Sequence, residues 1–218
     1  MPSISNEVSV PKDLLRWVGV GLAGICLAGF TAVASAVTVE SEPNDSMGTP
    51  DGFAGSDTLS GSISTDNDVD FWSVNLGAGN SITAQIIETG TISGDFDPVM
   101  VLINSSGQSL ATAEYNNGAP GGLHVSSDTL TYVASIAGTY FLAVMANQNL
   151  PFDSLSNDLA DPAWFNATTL DHFSGNGYGA GDYNVAVTVV PVPAAMWLFA
   201  SGLVGIAGIV RRRKARIV

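Results

Sequence analysis

The body of this chain reads as an all-β domain, an antiparallel β-sandwich or jelly roll. Three observations predict it. Apolar residues recur at every second position in several short runs, turn-forming residues separate the runs, and no stretch between residues 37 and 190 carries a capped apolar stripe of helical period. Trp72, Val74 and Leu76 alternate with Ser73 and Asn75, and Ile82, Ala84 and Ile86 with Thr83 and Gln85. Tyr183, Val185, Val187 and Val189 alternate in the same way with Asn184, Ala186 and Thr188. Each such run lays one face on a core and turns the other to water. Val99–Ile103 and Tyr140–Met145 are apolar at every position, which predicts central strands buried on both faces. Gly77-Ala78-Gly79-Asn80, Asn104-Ser105-Ser106-Gly107, Asn116-Asn117-Gly118 and Ala137-Gly138 supply the turns.

Residues 146–173 break this rhythm. A connection of that length between strands is uncommon and often functional. Phe152, Trp164, Phe165 and Phe173 give it apolar anchors, so it is expected as a flap pinned over one end of the sandwich. Phe152, Trp164 and Phe165 are also the candidate surface for recognising a glycan or matrix component.

Charge narrows the function. The 218 residues carry a formal net charge of -13, and all seven basic residues lie near the ends, at Lys12, Arg16, Arg211, Arg212, Arg213, Lys214 and Arg216. Between Val37 and Val210 there is no Lys or Arg, while 18 of the 20 acids fall there. Nucleic-acid binding is excluded, because nothing in the body neutralises phosphate. Salt bridges cannot organise such a fold. Its carboxylates must be solvated, hydrogen-bonded or bound to cations. The single cysteine, Cys26, lies outside the body, which excludes a disulfide scaffold, a thiolate zinc site and a thiol nucleophile.

The two ends read as addresses. Lys12 and Arg16, an apolar stretch from Trp17 to Val33, and Ala34-Ser35-Ala36 make a helical signal peptide over residues 1–36, cut by signal peptidase before Val37. Two rivals are an uncleaved anchor and lipid attachment at Cys26, the latter opposed by bulky Ile25 where a small residue is wanted. At the other end, Pro191-Val192-Pro193 precedes an apolar run of 17 residues, Ala194–Val210, and then Arg211-Arg212-Arg213-Lys214. The run is just long enough for a membrane-spanning helix, and the basic cluster would stay cytoplasmic, leaving the acidic body outside. Pro191-Val192-Pro193-Ala194-Ala195-Met196-Trp197-Leu198-Phe199, with Ser201-Gly202-Leu203-Val204-Gly205 and the arginine run, resembles a PEP-CTERM sorting signal, although Val192 stands where the family name has Glu. The resemblance implies processing by an exosortase-type membrane protease in a Gram-negative bacterium that makes extracellular polysaccharide. Three segments follow: signal peptide 1–36, β-domain 37–190 and sorting signal 191–218.

Two acidic clusters carry the chemistry. Glu40-Ser41-Glu42-Pro43-Asn44-Asp45 opens the mature chain, and Asp66-Asn67-Asp68-Val69-Asp70 leads into Phe71-Trp72. Residues two apart on extended chain share a face, so Glu40 and Glu42 can point together, as can Asp66, Asp68 and Asp70. Calcium takes six to eight oxygen ligands, and such loops supply them. The competing reading is a pair of solvated loop ends in an acidic exported protein.

The order of motifs adds to this. Glu40-x-Glu42-Pro43-Asn44-Asp45, Gly61-x-Ile63, Asp68-Val69-Asp70-Phe71-Trp72-Ser73-Val74, Phe96-Asp97-Pro98, Gly138-Thr139-Tyr140-Phe141-Leu142 and Gly181-Asp182-Tyr183 resemble the bacterial pre-peptidase C-terminal domain. That family is a β-sandwich found beside secreted peptidases, and it includes collagen-binding domains of clostridial collagenases. The resemblance implies Ca²⁺ ligands at Glu40, Glu42, Asn44, Asp45, Asp68 and Asp70, with Asp66 or Asn67 as further candidates.

Catalysis has little to build on. His124 and His172 are the two imidazoles, and there is no Gly-x-Ser-x-Gly, His-Glu-x-x-His or phosphate-cradling loop. Asp171 and His172 are adjacent, and neighbours on a strand face opposite ways. The expectation is an exported, non-catalytic surface or matrix protein, stabilised by calcium and binding glycan or filling the exopolysaccharide. The alternative is a secreted glycan- or peptide-acting hydrolase or its accessory.

Overall fold

Alternation and turns divide the body into twelve strands in a computed structural model that describes residues 36–88, 96–115, 127–175, 177 and 179–192. They are β1 (Ala36–Val39), β2 (Asp51–Gly52), β3 (Asp57–Ile63), β4 (Val69–Leu76), β5 (Ser81–Glu88), β6 (Pro98–Asn104), β7 (Ser109–Glu114), β8 (Thr129–Val133), β9 (Gly138–Ala146), β10 (Pro151–Phe152), β11 (His172–Phe173) and β12 (Gly181–Val190). Two five-stranded sheets result, ordered β1-β3-β12-β5-β8 and β2-β4-β9-β6-β7, and β10 pairs with β11 apart from them. The all-β sandwich is as expected, but its sheets are mixed. β1 runs parallel to β3 and β2 parallel to β4, because both short strands enter beside a strand they cannot reach by a hairpin. Among the described residues there is no α-helix, only a 3-10 turn at Pro162–Trp164, and no helix long and apolar enough to cross a membrane. The expected signal helix and membrane-spanning helix, with Cys26, Pro193 and Arg211–Arg213, lie outside the described residues.

The side-chain period of two sorts the core. Met100, Leu102, Leu142, Val144 and Ala146 point between the sheets, where they meet Ile82, Ile86, Leu59, Val185 and Trp72. Their neighbours Val99, Val101, Ile103, Phe141, Ala143 and Met145 point out of the other face of the second sheet, with Val69 and Phe71. That outer face is not solvated. Leu150, Ala160, Leu170, Phe152 and Phe173 from the 146–173 segment pack on it, and Phe173 meets the Phe71 ring edge-on, 5.9 Å between centroids. The predicted two-sided burial of β6 and β9 is therefore met by this segment. It covers a sheet face, not one end of the sandwich as expected.

The segment holds its own shape by local hydrogen bonds. The buried Asp153 carboxylate accepts from the amides of Leu155 (2.9 Å) and Asn157 (2.8 Å) and from Asn157 Nδ2 (2.8 Å). Asp161 caps the 3-10 turn through the Ala163 amide. His172 stacks on Phe152 and, contrary to the strand-alternation argument, its Nδ1 lies 3.0 Å from Asp171 Oδ2. Asp171 sits just before β11, where the alternation does not yet apply. Phe173→Ala should lower stability by about 1–3 kcal/mol through lost burial. It should also speed thermolysin cleavage within 146–175; trypsin has no site in the body. Unchanged cleavage would mean the cover is held by hydrogen bonds alone.

Candidate metal centre

The carboxylates converge where β1 ends and β4 begins. β1 is too short to carry Glu40 within its ladder, but the Glu40 amide still donates to Ser60 O (3.0 Å), and its Oε1 accepts from the Ser62 amide (2.8 Å). The chain then turns back through a cis Glu42–Pro43 peptide. The Asn44 carbonyl accepts from the Phe71 amide (3.1 Å), which lays Glu42, Asn44 and Asp45 against the entrance of β4. Asp51 fixes the turn, with its Oδ2 accepting from the Ser41 amide (2.8 Å) and from Asn44 Nδ2 (3.3 Å). The Asp68 carboxylate accepts from the Ser64 amide (2.5 Å).

Oxygen atoms of Glu42, Asp68 and Asp70 all lie within 4.8 Å of one another. Glu40, Glu42, Asp45, Asn67 and Asp68 share a polar cavity of about 460 Å³ with Ser62 and Ser64. Within this group three buried oxygens, Glu40 Oε2, Asp70 Oδ1 and Asn44 Oδ1, have no hydrogen-bond donor. Burial of that kind is costly unless a proton or a cation completes it.

Asp70 shows why. Trp72 Nε1 donates to the Tyr183 hydroxyl (2.9 Å), which donates to Asp70 Oδ2 (2.6 Å), all three fully buried. This chain satisfies one carboxylate oxygen and leaves the other facing Glu40. Burial, and next the neighbouring Glu40, push the Asp70 carboxyl up to about 9, against a smaller downward pull from the Tyr183 hydroxyl. Desolvation leads in raising Glu40, Glu42 and Asp45 as well, with neighbouring carboxylates adding to it. Gly61 makes the approach possible. A Cβ there would collide with the Glu40 carboxylate and the Tyr183 ring hydroxyl.

The structure thus brings together Glu40, Glu42, Asn44, Asp45, Asp68 and Asp70. Asp66 stands apart on an exposed turn, where its carbonyl accepts from the Gly177 amide (2.9 Å). Sequence reasoning missed Tyr183, Trp72, Asp51 and Gly61. The signal for Gly61 was a glycine inside a strand, which often marks close approach. A buried tyrosine and tryptophan each needing a polar partner was the signal for the other pair. The all-oxygen set suits a hard cation such as Ca²⁺ or Mg²⁺ and offers no nitrogen or sulfur for zinc or copper. The set fits the group that the family resemblance implies.

The aromatic candidates scatter. Phe152 lies against the covered outer face and stacks on His172, Phe165 is half-buried, and Trp164 is 37% exposed on the 3-10 turn. Of the sorting signal, Pro191 and Val192 are described; the Val192 amide donates to Asn80 Oδ1 (3.3 Å).

Comparison with known proteins finds a family match within the central segment. Residues 68–146 match the bacterial pre-peptidase C-terminal domain. A probable subtilase-type serine protease of Deinococcus radiodurans is 34% identical over 105 residues, 47% of this chain. The match spans only 14% of that protein. Among solved structures, the pre-peptidase C-terminal domain of a Bacillus anthracis collagenase is 15% identical, with a TM-score of 0.36, covering 64% of this chain and 94% of that one. A periplasmic inhibitor of g-type lysozyme from Aeromonas hydrophila is 14% identical, with a TM-score of 0.35, covering 72% and 100%.

A pH dependence follows for the metal-free protein. Asp70 binds its proton more tightly folded than unfolded, so stability is fullest below about pH 4, the unfolded carboxyl value, and is lost as pH rises toward about 9. Unfolding in chelator should give a lower midpoint at pH 8 than at pH 5, and Asp70→Asn should flatten that slope. A midpoint that rises over this range would contradict the arrangement.

Proposed function

We infer that the chain is an exported, non-catalytic module of a bacterial surface or extracellular matrix, with Ca²⁺ held by Glu40, Glu42, Asn44, Asp45, Asp68 and Asp70. One observation carries the reading: buried carboxylate oxygens without donors, in a body without a lysine or arginine. Ca²⁺ supplies charge neutralisation there and no chemistry of bond making. Glu40 comes from the first sheet's edge and Asp68 and Asp70 from the second sheet, so the cation would join the sheets where β1 attaches.

Export is supported by the signal-like start and by the match to a domain named for its place in peptidases. Processing by signal peptidase and an exosortase-type protease, transient anchoring in the inner membrane, and a place in exopolysaccharide or biofilm rest on the two ends of the sequence. The peptidase named in the Deinococcus relative raises the alternative of a hydrolase or its accessory. The described imidazole, His172, is half-exposed, stacked on Phe152 and hydrogen-bonded to Asp171.

Thermal unfolding of residues 37–190, stripped with chelator and titrated with Ca²⁺ against Mg²⁺, tests the metal. A Ca²⁺-selective rise is expected, growing with the logarithm of concentration above the Kd and reaching about 2.7 kcal/mol when Ca²⁺ is at a hundred times its Kd. The rise should shrink in Glu42→Ala and in Gly61→Ala, which displaces Glu40. Equal effects of the two cations, unchanged in both variants, would reduce the cluster to a screened acidic surface.

A further inference from the structure

We propose that the end of the sandwich opposite the acidic cluster carries a binding pocket for a single uncharged sugar ring. The proposal deepens the matrix-binding part of the reading above and rests on it; it is independent of the calcium site. The turn after β6, the turn before β9 and the end of the 3-10 segment enclose a cavity of about 230 Å³. That is somewhat below the roughly 300 Å³ at which pockets for drug-sized ligands begin, so it suits one ring.

Its lining has a distinct chemistry. The acidic cavity and the shallow one beside β1 and β12 each contain carboxylates. The residues around this pocket include none, although acids are spread through the body. It offers the Asn166 side-chain amide, the Ser135 hydroxyl, the second amide hydrogens of Asn104 and Gln108, and the half-buried Tyr132 ring, backed by the buried Tyr140 ring with centroids 6.0 Å apart. Neutral donors and acceptors beside an aromatic face match the hydroxyl rim and apolar C–H face of a pyranose. An anionic ligand would find no cation, and a cationic one no carboxylate.

The pocket is also fixed before a ligand arrives. Asn104 Oδ1 accepts from the amides of Ser106 (2.9 Å) and Gln108 (3.0 Å), and Asn104 Nδ2 donates to Gln108 Oε1 (3.0 Å). Gln108 Nε2 in turn donates to Asn166 O (3.2 Å), and the Asn166 amide to Ser109 O (2.9 Å). These two bonds hold Asn166 at a φ of 59°, in the left-handed region that Asn tolerates. The Tyr140 hydroxyl donates to Ile136 O (2.7 Å) and keeps its lone pairs for an incoming hydroxyl. Ordering of the loops is thereby removed from the cost of binding.

The test is amide chemical-shift mapping of the full chain in a sugar-free zwitterionic detergent, titrated with glucose, galactose and N-acetylglucosamine. Expected is saturation by at least one of them, with a Kd of about 1 mM for so small a ligand, and shifts confined to residues 104–108, 132–140 and 166. Asn166→Gly, which keeps the left-handed backbone, and Tyr132→Ala should each weaken binding about tenfold while the unfolding midpoint keeps its Ca²⁺ response. Absence of saturation with all three sugars, or shifts centred on Phe152 and Trp164, would overturn the pocket. Binding unchanged in both variants would do so too. A lost Ca²⁺ response in the unaltered protein would instead sink the metal reading and leave the pocket standing.

Discussion

The structure depends on two carboxyl oxygens, Glu40 Oε2 and Asp70 Oδ1, buried toward each other without a donor. In most proteins a lysine or arginine would sit between them. Here the body has none, so the missing partner must come from outside the chain, as a proton, a water or a metal ion. A shared proton is compatible with the raised affinity of Asp70 for hydrogen ions, yet it leaves Glu42, Asp45 and Asp68 crowded beside it. A divalent cation would answer all five carboxylates together, which is the ground for the metal centre proposed above.

Much of the remaining architecture serves to hold that cluster in place. Trp72 and Tyr183 donate in series from the middle of the core, so the orientation of Asp70 is tied to the packing of both sheets. From the other side Asn149, fully buried, donates to the Asp68 carbonyl (3.2 Å) and accepts from the Gly175 amide (2.9 Å). Gly177 then lies so close to the Asp66 carbonyl that a side chain could not be accommodated. The covering segment thus has two duties. It dries the outer face of β6 and β9, and its ends grip the loop that presents Asp68 and Asp70.

Alternation made the strands from Trp72 to Leu76, Ile82 to Ile86 and Tyr183 to Val189 legible, because one face of each meets the core and period two is a local property. The acidic candidates were legible for a similar reason: their spacing is local and the lack of cations is compositional. The parallel edge strands were not. β1 and β2 are four and two residues long, and their direction follows from which neighbour they reach, which no local pattern encodes. The role of residues 146–173 escaped in the same way. Phe152 and Phe173 could be read as anchors, but the surface they cover is made by Val99, Val101, Phe141 and Ala143, brought together only by pairing. Tyr183 looked like one more core position in an alternating strand. Its hydroxyl gains a role only from Asp70, 113 residues away.

The distance between the two ends limits how far one can influence the other. Pairing sets Asp70 opposite Val144 and Asn104 opposite Tyr140, four residues apart along β9 and two strands across, about 16 Å in all. The residues around the pocket carry no charge, so a cation at Asp70 would have no ion there to act on. Any influence would have to pass through the rigidity of β4 and β9, which pair along their whole length. The pocket's geometry, in contrast, is set within its own loops by Asn104, Gln108 and Asn166. The fold therefore keeps its two candidate sites apart: a cluster of buried carboxylates at one end, and a small neutral site shaped by its own hydrogen bonds at the other.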